Sequence, residues 1–269
     1  MRLSVRHSTL YQFGAPMRFV TQSHRLTPAS NASQQVLDWT VGAEGALFGS
    51  AFTDGAGDAV NTMTVQGPVE RIAVLVEGTV ETKDTAGMLK EHRETVSPRV
   101  YLQPTRVIEP GRGLIELKTA ALKGVEEDRP LERSHRLAAA VAEAIAYTPG
   151  ATDAHTTASE ALEQGKGVCQ DLTHAMIAVA HAAGIPARYV TGYLFTGDEG
   201  GEAAHAWAEL FVGDLGWIGF DPANRCCPDE RYIRLGSGRD ARDAAPIRGV
   251  SRGGGTEAMD VSVVVAAQQ

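Results

Sequence analysis

An α+β fold is predicted by the order in which local patterns follow one another along the chain. The first hundred residues read as strands, helix dominates from about residue 114 to residue 183, and strand patterns return after residue 186. Helices and strands segregated in this way indicate α+β architecture rather than repeated βαβ units. At 269 residues the chain can bury a substantial core, as one large domain or two smaller ones. We divide it into a β-rich region over residues 1–100 and a helix-on-sheet core over residues 101–269, the latter ending in a tail strand.

Within the first region, residues 3–7 and parts of 36–41 alternate polar and apolar side chains. Residues 61–65 and 72–82 are rich in Val, Ile and Thr, with glycine and Asp-Gly turns between them. Residues 98–110 read as irregular, with a turn at Leu102-Gln-Pro-Thr105. Residues 130–145 combine strong helix formers with Pro130, which suits a first helical turn. Residues 156–164 form a shorter helical pattern, with Ala158, Ala161 and Leu162 as its apolar face. Residues 172–183 form an alanine-rich one, stopped by Gly184 and Pro186. Strand patterns then occupy residues 187–194, 203–212 and 216–221. Asp198-Glu-Gly-Gly201 reads as a flexible connection, and Gly213-Asp-Leu-Gly216 as a turn. The stretch 236–255 is rich in Gly, Arg and Asp, and 259–266 reads as a last apolar strand. No internal repeat or low-complexity tract is present.

A formal charge of −8 and an isoelectric point near 5.5 argue against nucleic acid as the main partner, because phosphate binding needs a basic surface. No apolar run reaches membrane-spanning length, so no membrane partner is expected. The opening Met1-Arg-Leu-Ser-Val-Arg-His-Ser lacks the continuous apolar segment of a signal peptide, so the expected location is the cytoplasm. Three cysteines, two of them adjacent, do not make a secreted disulfide framework, and a reducing compartment keeps Cys169 free.

The stretch Gly165-Lys-Gly-Val-Cys169-Gln-Asp171 sets a cysteine between a glycine-rich turn and a long apolar run. The first turn of a helix presents the positive end of its dipole, which favours the nucleophilic thiolate without metal or cofactor. Downstream lie Ala204-His205-Ala-Trp207 and Phe220-Asp221-Pro-Ala-Asn224. Each has an ordinary reading when taken alone: a small buried hydrophobe, a core histidine, a turn opener. Together they supply, in chain order, a nucleophile, a base and a carboxylate to orient the base. A hairpin across the Gly213 turn brings His205 and Asp221 close. A metal site built from the same three residues suits this arrangement less well than thiol catalysis.

These residues resemble the bacterial transglutaminase-like proteins that carry a dedicated N-terminal β region. The matching text includes Tyr147-Thr-Pro-Gly150, Gly167-Val-Cys-Gln-Asp171, Gly184-Ile-Pro-Ala-Arg-Tyr-Val190 with Gly192-Tyr193, and His205-Ala-Trp207. It continues through Gly216-Trp217, Phe220-Asp-Pro222 and Gly238-Arg-Asp240, and towards the N-terminus through Arg25-Leu-Thr-Pro28 and Gln34-Gln35. The resemblance implies a papain-like core, with a cysteine-bearing helix on an antiparallel sheet. It also implies Cys169 as nucleophile, His205 as general base and acid, Asp221 as its orienting partner, and neither cofactor nor metal. The implied chemistry is acyl transfer from a peptide or isopeptide amide through a thioester, on a peptide or protein substrate. Hydrolysis is favoured over cross-linking, and a non-catalytic binding module that keeps the fold is the competing class.

Several neighbours have expected supporting roles. Gln170 and Asp171 are expected to cap the helix start or line the cleft, and the unpaired Cys169 N–H is an oxyanion-donor candidate. Trp207 walls the cleft or packs under His205, Asn224 holds its own loop, Arg188 and Tyr189 are structural, and Cys226 and Cys227 pack. Family members usually carry Ser and Thr where this chain has Ala204 and Ala223. Their usual Asp-x-x-Gly-Asn pattern is Asp54-Gly-Ala-Gly-Asp58 here, a change expected to affect only a turn.

Overall fold

The computed structural model describes residues 1–197 and 203–268, so the Asp198-Glu-Gly-Gly201 connection lies outside the described residues. The N-terminal region is built on two strands of unusual length, β1 (Arg2–His24) and β4 (Ala59–Thr82), antiparallel along most of their course. Strands β2 (Gln34–Ala43) and β3 (Ala46–Thr53) cover successive halves of β4. The alternation read at residues 3–7 continues to Phe13, which puts Leu3, Val5, Tyr11 and Phe13 inside; register shifts around Met17 then change its phase, so that Val20, Gln22 and His24 face inward.

Two short 3₁₀ turns, Pro98–Leu102 and Arg106–Ile108, lead from this sheet to helices α1 (Arg112–Ala121) and α2 (Pro130–Ala144). A two-residue strand β5 (Ala146–Tyr147), helix α3 (Ala158–Gln164) and a two-residue strand β6 (Lys166–Gly167) precede helix α4 (Cys169–Ala182). Thr157 caps α3 through a reciprocal bond pair with Glu160. Then follow β7 (Ala187–Leu194), β8 (Ala204–Phe211), β9 (Trp217–Phe220) and β10 (Tyr232–Gly238), an antiparallel sheet in the order β10-β7-β8-β9. Helix α4 packs on this sheet, with Leu172 through Ala180 buried among Tyr189, Ala206, Ala208, Leu210, Ile218 and Phe220. Burying each large side chain of that set is worth roughly 1.5–3 kcal/mol. The observed elements are α+β, as the sequence predicts.

The division at residue 100 does not hold for the tail. Strands β11 (Ile247–Arg252) and β12 (Glu257–Ala267) pair with the two halves of β1 and so complete the N-terminal sheet, not the helix-on-sheet core. The reason is the length of β1: β4 occupies one edge, and only strands from the distant C-terminus are free to satisfy the other. The expectation for Asp58 also changes. Its side chain is fully buried, its carboxylate pairs with Arg234, and it accepts from the Ser237 amide at 2.6 Å and hydroxyl at 3.0 Å. Asp58 therefore joins the N-terminal sheet to β10 through buried charge. Gln34 makes a second join, exchanging hydrogen bonds of 2.8 Å with the Arg234 backbone.

Candidate active site

Cys169 is the first residue of α4, and the segment in front of it is held on both sides. Strands β5 and β6 pair in parallel, with Tyr147 opposite Gly167. Asp171 turns back on the helix start, where its Oδ2 accepts from the Val168 amide at 2.8 Å and from the Thr152 hydroxyl at 2.6 Å. A β-carbon at position 167 would stand 2.7 Å from that of Asp171, so only glycine admits this cap. Capping thus falls to Asp171, while Gln170 lines a groove. Among the described residues the Cys169 amide has no hydrogen-bond partner, as expected of a first helical residue.

The β8–β9 hairpin brings the other two residues together. His205 Nε2 donates to Asp221 Oδ2 at 2.7 Å, and Cys169 lies close enough to the ring to raise its pKa. Nδ1 is the ring nitrogen left for the sulfur. Burial alone would lower the His205 pKa, but the bond to Asp221, the neighbouring Cys169 and the charges of both outweigh it and push it up to about 9. Burial acts on Asp221 in the opposite sense. There the hydrogen bond and charge of His205, followed by bonds from Asn224 and Tyr232, hold the carboxyl below its usual range. All three predicted residues therefore meet, although they are separated by up to 52 positions in the chain.

The rest of the shell differs in part from sequence expectation. Asn224 donates from Nδ2 to Asp221 Oδ2 at 2.7 Å and approaches His205 Nε2 to 3.3 Å, so its side chain serves the carboxylate rather than its own backbone. The loop is instead held by Asp221, whose Oδ1 accepts from the Ala223 and Asn224 amides at 2.9 and 3.2 Å. Trp207 is buried and stacks near His205, 6.5 Å between centroids and 24° between planes, which settles it as packing. Gly192 lets it in, since a β-carbon there would come within 2.6 Å of the Trp207 ring. Arg188 is buried and structural, as read.

Tyr232 was not legible as part of the site. Its hydroxyl donates to Asp221 Oδ2 at 2.8 Å, and its ring meets His205 and Trp207 edge-on. The only local signal is the alternation Tyr232-Ile-Arg234-Leu, which marks a strand but not which carboxylate the phenol meets. Cys226 approaches the same hydroxyl at 3.3 Å, and Cys227 packs against the core; both are free thiols whose pKa burial raises, that of Cys227 to about 11. Two depressions are lined in part by residues of this region. One, of about 370 Å³, meets Asp221 and Cys226; the other, of about 720 Å³, reaches Gln170.

The sequence and fold have clear relatives. Residues 3–81 match the bacterial transglutaminase-like N-terminal region, and residues 118–222 match the transglutaminase-like superfamily core. An uncharacterised protein of Mycobacterium leprae is 31% identical over 285 residues, 98% of each chain. A protein-glutamine gamma-glutamyltransferase of Pseudomonas aeruginosa is 35% identical over 102 residues, 32% of this chain and 14% of that one. The solved structure of a cysteine protease candidate from Cytophaga hutchinsonii shares the fold with a TM-score of 0.77 at 23% identity, over 99% of this chain and 90% of that one. With both family models in their expected places and a relative matched from end to end, the chain belongs to the transglutaminase-like superfamily and carries the bacterial transglutaminase-like N-terminal region.

Proposed function

We propose that the protein is a cysteine-dependent acyl-transfer enzyme acting on peptide or isopeptide amides, with water as the favoured acceptor. The observation that carries this reading is the meeting of Cys169, at the start of α4, with a His205–Asp221 pair bonded at 2.7 Å, His205 being held protonated at neutral pH. The Cys169 sulfur attacks the amide carbonyl and forms a C–S bond. The oxygen takes up the negative charge, facing the unpaired Cys169 amide. His205 passes its proton to the nitrogen, the C–N bond breaks, and the amine leaves a thioester behind. Water then gives a proton back to His205 as it attacks, and the carboxylic acid departs. Asp221 stays ionised throughout and keeps the ring oriented.

The reading includes a cytoplasmic location, where Cys169, Cys226 and Cys227 remain thiols. Its test is a mass-spectrometric one: peptide amides are incubated with the protein in H₂¹⁸O, with and without a primary amine. A thioester on Cys169 and ¹⁸O in the released acid support hydrolysis. Amine incorporation without ¹⁸O assigns cross-linking instead, and no acyl group on Cys169 with any peptide favours a binding module.

A further inference from the structure

The groove of about 720 Å³ that reaches Gln170 carries a charge opposite to that of the chain around it. Four arginines line it, Arg106, Arg239, Arg242 and Arg248, against two carboxylates, Asp240 and Asp243. The chain as a whole has a formal charge of −8. The two carboxylates are already engaged. Asp243 pairs with Arg239 at 2.8 Å and with Arg248 at 3.8 Å, and Asp240 Oδ1 accepts the Asp243 amide at 2.8 Å. Arg106 and Arg242 are exposed and close no ion pair among the described residues, although Arg106 adds to holding down the Glu160 carboxyl. His174, one helical turn behind Gln170, is buried in the wall and accepts the Ala241 amide at 3.1 Å. It stays neutral, because burial lowers its pKa to about 4.

We propose that this groove selects a carboxylate, so that the acyl-transfer centre takes peptides with an acidic side chain or a free C-terminal carboxylate on the Gln170 side of the reacting amide. The inference rests on Cys169 acting as the nucleophile. Gln170 follows Cys169 directly in the chain, its Cα about 3.8 Å on, so the groove and the nucleophile both belong to the start of α4. Guanidinium groups accept carboxylates in a planar, two-bond fork, and a cationic side chain on the substrate meets like charge instead. Several charge-assisted contacts of this kind together are expected to raise rate or affinity roughly tenfold.

The experiment uses four peptides of one sequence, each with a central chloroacetyl side chain that alkylates a thiol. They differ only in Asp against Asn beside the electrophile, and in a free against an amidated C-terminus. Labelling of Cys169 is followed by peptide mapping at low ionic strength. The expected result is labelling about tenfold faster for an acidic peptide than for its neutral counterpart, a gap that narrows in high salt. The Asp and C-terminal arms identify which carboxylate is read. Replacing Arg106 and Arg242 together by Gln is expected to collapse the ratio, and R242E to favour a peptide with Lys at the Asp position. Equal rates for all four peptides overturn the groove while leaving the nucleophile assignment intact. Should no peptide label Cys169, that assignment falls. Fluorescence anisotropy with fluorescein-tagged forms of the same four peptides lacking the electrophile then decides the groove alone, equal affinities for all four refuting it.

Discussion

The two ends of strand β8 handle buried charge in opposite ways. At Glu209 the charge is matched on both sides: one carboxylate oxygen bonds Arg188 Nε at 2.7 Å and the other Arg234 Nε at 2.9 Å. Those guanidiniums reach on to Glu94 and Asp58, and Arg188 lies 4.0 Å over the Trp217 ring. Burial works against the Glu209 charge, yet Arg234 and Arg188 hold its pKa down at about 2. Four residues along the same strand, His205 has only one nitrogen committed to a carboxylate, and the other faces a thiol. A charge with all its partners in place holds elements together and has nothing left to react. The His205 end keeps one valence open towards a nucleophile, which is where chemistry can occur.

This contrast is sharpest in the largest expected effect. Cys169→Ala should lower turnover on the order of 10⁶-fold while leaving the thermal midpoint nearly unchanged, because a half-buried thiol contributes little packing. Retention of more than a few per cent of activity removes Cys169 from the mechanism. Asp221→Asn should follow, with a fall on the order of 10²–10⁴ in kcat at nearly constant KM, as the amide keeps one hydrogen bond but loses the charge. Glu209→Gln should do the reverse. It leaves two buried guanidiniums short of a partner, so urea unfolding should show a loss of about 3–5 kcal/mol. A variant as stable as the parent would mean that the network is not what fastens the N-terminal sheet to the core.

Smaller effects test the open valence itself. His205 carries its proton below about pH 9, and that proton is the one the leaving amine needs. Raising the pH through about 9 should therefore lower kcat/KM, by roughly tenfold per unit beyond it. In Cys169→Ala the ring loses the influence of the sulfur, so its NMR titration should move down from about 9. A titration identical in both proteins would show that the sulfur and the ring do not interact. Smallest is Tyr232→Phe, which removes one of three donors to Asp221 Oδ2 and leaves the ring packing in place. A fall of up to about tenfold in kcat with KM unchanged is expected. A rise in KM alone would assign Tyr232 to substrate contact.

Much of this was legible in residue order. Gly165-Lys-Gly-Val-Cys169 announces a helix start, because glycine, a cap and an alanine-rich run are local signals with local causes. The His205–Asp221 approach follows from a short turn between two strands, and hairpin geometry is set within about 20 residues. Asp58 departs from the sequence expectation because turn chemistry is the commonest role for such a residue and nothing nearby in the chain names Arg234; Asn224 departs because a turn asparagine reads as bonding its own backbone, although the carboxylate it serves stands only three residues before it. Residue order places the tail with the wrong sheet, because β-pairing between residues 3–13 and 257–267 leaves no trace in either segment alone.

Strand, helix and cap are decided by backbone preferences and by side-chain spacing over a few residues, so the chain carries them in its order. The same holds for the chemical types at positions 169, 205 and 221. The phenol that completes the Asp221 shell, the carboxylate at position 58 that neutralises Arg234, and the arginines gathered beside Gln170 belong to another class. Each gains its role from burial and from a charge brought in by a remote element, and an electrostatic partner acts through distance in space, whatever its distance along the chain.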